Sequence, residues 1–101
     1  MTKITKSDYV KISRTIVIRL YRANCFGKGS LYYETLKKGF NQEYINKVET
    51  VLEALVKQKI CIKKKKLHGW NYYLNSDRLD KIKEIIREKG DKSVILLILS
   101  F

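Results

Sequence analysis

Proline is absent from the chain, histidine occurs once, at His68, and cysteine only twice, at Cys25 and Cys61. A structural zinc site wants four ligands, usually as close pairs such as CxxC, and these residues cannot supply them, so no metal site is expected. The two cysteines read as small buried hydrophobes. A disulfide, within the chain or between subunits, is the alternative and would imply an oxidising setting or a hyperthermophile. Acidic residues are scarce too: 10 Asp and Glu stand against 22 Lys and Arg, a formal net charge of +12 on 101 residues. The longest apolar run, Val94 to Leu99, falls far short of the ~20 residues that span a bilayer, and the N-terminus has no apolar signal core. Hydrophobic residues at 45% are too many for a disordered chain. A small basic cytoplasmic domain with a polyanionic partner and no membrane contact is expected.

Catalytic signatures are missing as well. No Ser/His/Asp or Cys/His arrangement is suggested by spacing, and Gly27–Ser30 (GKGS) is too short for a phosphate loop. Asp77 and Asp80 sit where a helix begins and favour its positive terminus. No enzyme, cofactor or small-molecule effector is expected.

With proline missing, the five glycines punctuate the chain. Ser7 is placed to cap a first helix in which Tyr9, Ile12, Ile16, Val17 and Leu20 form the apolar stripe, with Lys11, Arg14, Arg19 and Arg22 largely off it. Leu31 to Lys38 reads as a short second helix stopped by Gly39. Asn41 caps a third, running to about Lys57 with Ile45, Val48, Leu52 and Leu55 inward. So short a connection between the second and third helices makes a tight helix-turn-helix corner. The period then changes to alternation: Ile60 to Lys66 and Trp70 to Asn75 read as two strands joined by a turn at Leu67–Gly69. Ser76 caps a fourth helix with Leu79, Ile82, Ile85 and Ile86 inward, stopped by Gly90. Periodicity leaves the last piece, SVILLILSF, open between strand and helix.

Helix, helix, helix, basic hairpin, helix resembles the winged helix-turn-helix layout, and the likeness extends from roughly Tyr9 to Lys89. VETVLEALVKQKICIKKKK looks like a recognition helix running into the first wing strand, with Lys59 standing where the family usually has glycine. GWNYYLNSDRLDKIKEII looks like the returning strand and next helix of archaeal and bacterial regulators of the ArsR and MarR groups. The expected fold is α+β and predominantly helical: a three-helix core, a β-hairpin wing, a C-terminal helix and an apolar tail. Residues 1–90 form the DNA-binding domain on this reading, and 91–101 an apolar dimerisation element. The ArsR metal cysteines have no counterpart, so metal sensing is not carried over.

The resemblance implies a DNA-binding transcriptional regulator with double-stranded DNA as partner. At about 100° per residue, the outer face of the third helix holds Glu43, Asn46, Lys47 and Thr50, with Gln42 at its edge. Asn46 suits adenine, Lys47 guanine or phosphate, and Thr50 a thymine methyl. In the wing, Lys63, Lys64, Lys65 and Lys66, with His68 at the tip, are placed for the phosphate backbone, and Tyr33 at the entry to helix two for another phosphate. Tyr72 and Leu74 are expected in the core. Glu43, Glu49 and Glu53 oppose phosphates and keep a second possibility open, a protein- or RNA-interaction module. The tail from Val94 to Phe101 carries seven large apolar side chains in eight residues. That suggests a homodimer, with folding back on helix one as the competing account.

Overall fold

The structure is a computed structural model that describes residues 4–87. Gly90 and the expected dimerisation element at 91–101 lie outside the described residues. Helix α1 spans Lys6–Arg22, and its cap is Thr5 rather than Ser7. Thr5 has the extended backbone of a cap residue, and its hydroxyl accepts from the Asp8 amide at 3.1 Å. Ser7 falls inside the first turn. Helix α1 occupies the centre of the fold: Ile12, Ser13, Arg14, Thr15, Ile16 and Val17 are all buried, and α3, α4 and the sheet pack around it. Arg14, read from the sequence as lying off the stripe, is thus inside.

The second helix is shorter than its sequence pattern suggests. Leu31 and Tyr32 form a short strand, β1, and α2 covers only Tyr33–Lys37. The competing partner is non-local: β1 pairs antiparallel with the later strand β3 (Gly69–Leu74), setting Leu31 against Tyr72 and Tyr32 against Asn71. This pairing engages backbone groups that a first helical turn would have left without partners.

Gly39 turns the chain after α2 with φ of +88°, as its glycine suggests. Arg19 locks this corner. One guanidinium nitrogen donates to the carbonyls of Leu36 and Lys38, both at 2.7 Å, and the group lies over the Phe40 ring. Helix α3 comes next at Gln42–Lys57, with Asn41 in the cap position but making no side-chain cap bond. Tyr44, Val48, Val51, Leu52 and Leu55 are buried, and Ile45 packs at the edge of the core.

Helix α3 ends in a left-handed residue. Lys59 has φ of +63°, the Ile60 amide bonds back to Leu55, and the Lys59 amide to Val56. That pair of bonds is the Schellman termination, which usually employs glycine at this position.

Strands β2 (Cys61–Lys66) and β3 then form the hairpin, and β3 lies in the middle of the order β1-β3-β2. Asn75, not Ser76, caps the helical segment after the hairpin. Its carbonyl oxygen accepts from the Asp77 amide and its amide nitrogen donates to the Lys59 carbonyl at 2.8 Å, tying the hairpin base to the end of α3. A 3-10 turn, Ser76–Arg78, leads into α4 at Leu79–Arg87, which buries Ile82 and rests Ile85 and Ile86 on the core. Tyr72 and Leu74 are buried as expected, and both cysteines are buried and free. The architecture is α+β, with four helices around a small antiparallel sheet among the described residues. No helix among them is long and apolar enough to cross a membrane.

Candidate nucleic-acid interface

The α2–α3 corner and the hairpin bring one face of α3 close to the basic strand β2. On that face Gln42, Glu43, Asn46 and Thr50 are exposed, as the helical spacing implies. Lys47 is different. Its ammonium lies 2.7 Å from the Asp8 carboxylate of α1, and both side chains are only 20% exposed. Hydrogen bonding to Asp8 raises the Lys47 pKa, so the cation is held firmly in its charged form. The group expected to reach a base or phosphate is engaged inside the fold.

The four-lysine run is divided by the strand period. Alternate side chains on a strand point to opposite faces, and the antiparallel register sets Lys63 against Tyr72, Lys64 against Asn71, Lys65 against Trp70 and Lys66 against Gly69. Lys63 and Lys65 therefore share a sheet face with Trp70, and Lys64 and Lys66 occupy the other. The ammonium groups of Lys63 and Lys65 lie 4.7 and 5.2 Å from the Trp70 ring centroid. Lys63 also meets Glu53 of α3 at 3.0 Å, bridging helix and hairpin. On the opposite face Lys64 lies over the Tyr73 ring and donates to the Gly27 carbonyl at 3.4 Å. Lys65 and Lys66 are exposed, while Lys63 and Lys64 are half-buried.

Between α3, the start of α2 and the hairpin tip lies a cleft of about 220 Å³. Tyr33 and His68, each singled out separately in the sequence, line it together. His68 is exposed, with its ring tilted against Tyr32. Three further lining groups were not placed here by the sequence: Glu49 of α3, read there only as opposing phosphates, Tyr72, read as core, and Trp70, read only as part of a strand. Burial pushes the Tyr33 hydroxyl pKa up, and nearby Lys37 partly offsets that rise. Burial also pushes Tyr72 up to about 12, with the Glu53 and Glu49 charges adding to the effect. The signal that would have found Trp70 is the same period-two alternation that separates Lys63 and Lys65 from their neighbours.

The outer face of α3 is not uniformly basic. Glu43, Glu49 and Glu53 are exposed along it, and among the described residues only Glu53 is compensated by a hairpin lysine. Among the same residues, no three His, Cys, Asp or Glu side chains come together to hold a metal ion. No protein-family model, curated protein sequence or solved structure matches this chain.

Proposed function

We propose that the domain is a winged helix-turn-helix that binds double-stranded DNA as a transcriptional regulator, with α3 entering the major groove and the hairpin resting on the phosphate backbone. The observation that carries this reading is the exposed face of α3, with Gln42, Asn46 and Thr50, beside a hairpin bearing four consecutive lysines. The +12 charge supplies long-range attraction to a polyanion. Asn46 and Gln42 have the paired donor and acceptor that adenine's major-groove edge requires. Lys65 contributes an exposed cation on the sheet face beside α3, and each neutralised phosphate releases condensed counterions. Tyr33 and His68 stand at the margin of the same surface.

The acidic groups on α3 favour a second reading, a module of the same fold that contacts protein or RNA without reading duplex sequence. A mobility-shift titration separates the two, using random duplex, duplex from upstream of the protein's own gene, and single-stranded RNA. The regulator reading requires a preference for one duplex of at least roughly tenfold at physiological salt. Equal binding of all duplexes, or tighter binding of the RNA, would reject it.

A further inference from the structure

The cleft beside α3 has a chemistry that a duplex backbone does not use. Its aromatic lining residues are Tyr32, Tyr33, His68, Trp70 and Tyr72, and among the described residues no lysine or arginine lines it, although the chain carries 22 of them. Lysines instead stand around the neighbouring rings: Lys37 lies 5.2 Å from the Tyr33 centroid, and Lys63 and Lys65 flank Trp70. Two carboxylates border the cleft, but they are not equivalent. Glu34 is paired with Lys37 at 3.1 Å, whereas Glu49 has no ion-pair partner among the described residues. Tyr72 is 3% exposed, and its hydroxyl has no hydrogen-bond partner among them.

Aromatic walls, one carboxylate without an ion pair, one unpartnered hydroxyl and a cationic surround fit a particular kind of ligand. We propose that the cleft takes a single unstacked base of a single-stranded nucleic acid, and that Glu49 selects bases carrying an exocyclic amino group. The flat rings give every base a stacking surface. The surrounding lysines suit the phosphates on either side of that base. The Glu49 carboxylate can only accept, so it rewards the exocyclic amino group of cytosine, whereas thymine and uracil offer it a single N3–H hemmed between two carbonyls. The Tyr72 hydroxyl, free to donate or accept, suits the base edge beside the amino group. A free organic cation is a poorer fit, because the +12 charge of the whole chain repels it before it arrives.

Base capture and duplex binding share Tyr33, His68 and the lysines around Trp70, but only base capture uses Glu49 as a selector, so the two can fail separately. Trp70 is the one tryptophan in the sequence, so intrinsic fluorescence reports directly on this cleft. The intact chain is titrated with hexamers of deoxycytidine, deoxythymidine and abasic deoxyribose phosphate, and with random duplex. The deoxycytidine hexamer should quench Trp70 and bind at least roughly tenfold more tightly than the thymidine hexamer, the discrimination of one well-formed polar contact to a base. Glu49→Gln, an exposed change, should bring the two hexamers within a factor of about two, whatever the loss of one negative charge on α3 does to duplex affinity. A cytidine ribohexamer in parallel shows whether RNA or DNA is the better source of the base. Equal affinity for both deoxyhexamers overturns the proposal, as does a cytosine preference that survives Glu49→Gln, or an abasic strand that quenches as strongly. Loss of duplex binding with the cytosine preference intact would reject the duplex reading instead.

Discussion

Lys47 and Asp8 join α3 to α1 through a 2.7 Å ion pair. Asn46, one residue earlier, is presented to solvent. The two neighbours therefore separate into a surface group and a framework group. On the proposed DNA reading, Asn46→Ala should change which sequence is preferred, at a cost of ~1–3 kcal/mol at one position of the site. Lys47→Met should leave the preference intact and lower thermal stability. Sequence selection on the two variants checks this. A shifted preference in Lys47→Met would mean that the ion pair opens on binding and that the ammonium reads a base.

The hairpin lysines should divide in the same way. Lys63 and Lys65 share a sheet face with Trp70, beside α3, while Lys64 and Lys66 lie on the other. On the proposed DNA reading, a duplex docked on α3 meets one pair rather than all four. Replacing Lys63 and Lys65 with Ala should flatten the slope of log affinity against log salt by roughly one for the exposed Lys65, and by roughly two where the Lys63–Glu53 pair opens on binding. Replacing Lys64 and Lys66 should change it by less than about one. Equal changes from both pairs would place phosphates on both faces of the hairpin.

Two left-handed residues give stability predictions of opposite sign. Lys59, with φ of +63°, occupies a conformation that costs a side-chain-bearing residue about 1–2 kcal/mol. Lys59→Gly should stabilise the protein by about 1 kcal/mol after the extra freedom of glycine in the unfolded chain is subtracted. Gly39→Ala should destabilise by more than that, because the added methyl would approach Arg19 Nη2 to 2.8 Å at a φ of +88°. It would thereby disturb the guanidinium that holds the Leu36 and Lys38 carbonyls. Urea unfolding of both variants measures the two signs together.

Stability should fall on the alkaline side. Burial raises the Cys61 thiol from 9.0 to about 12. Below pH 9 it is protonated in both the folded and unfolded states and contributes nothing to the pH dependence. Between pH 9 and 12 the unfolded chain loses this proton while the folded chain keeps it, so unfolding becomes progressively easier. The full window corresponds to as much as ~4 kcal/mol. Tyr72, raised from 10.0 to about 12, acts in the same direction. Lys47, whose pKa is raised by Asp8, contributes stability below 10.5 that is lost as pH rises through its folded value. Cys61→Ala should make the decline between pH 9 and 12 shallower, even though its neutral-pH stability is lower. An unchanged slope would show that the thiol is not the titrating group.

Helices α1, α3 and α4 and the hairpin were legible in outline because each is written in local periodicity, although the caps before α1 and α4 fall on Thr5 and Asn75 instead of the serines and α2 is shorter than its pattern. The α3 stripe at Val48, Leu52 and Leu55 and the alternation around Ile60–Lys66 are examples. The burial of Tyr72 and Leu74 likewise came from strand alternation beside a core. Elements decided by distant partners were not legible. Strand β1 exists because β3, about forty residues later, offers Leu31 and Tyr32 an edge to pair with. Arg19 read as a solvated base, yet its long side chain reaches the carbonyls that end α2. Among the site candidates, helical spacing identified the exposed positions of α3, but it could not tell that Lys47 would meet Asp8. Nor could it assemble Tyr33, Glu49, His68 and Trp70, which come from separate parts of the chain, into one cleft.

The hairpin has three strands over only part of its length. Strand β1 pairs with Asn71 and Tyr72 alone, and Asn71 is further fixed by Ser30, whose hydroxyl meets its side chain at 3.0 Å. Beyond Asn71 the ribbon continues as Trp70 and Gly69 against Lys65 and Lys66, with no third strand beside it among the described residues. A two-stranded ribbon is intrinsically less stable than a three-stranded sheet. The hairpin therefore works as a lever with its fulcrum at Asn71: a rigid arm anchored in the core and a compliant arm that carries Lys65, Lys66 and His68. The amides of Gly69 and Trp70 should exchange with solvent well before those of Tyr72 and Leu74, and the outer arm can tilt to follow a curved partner without disturbing the core.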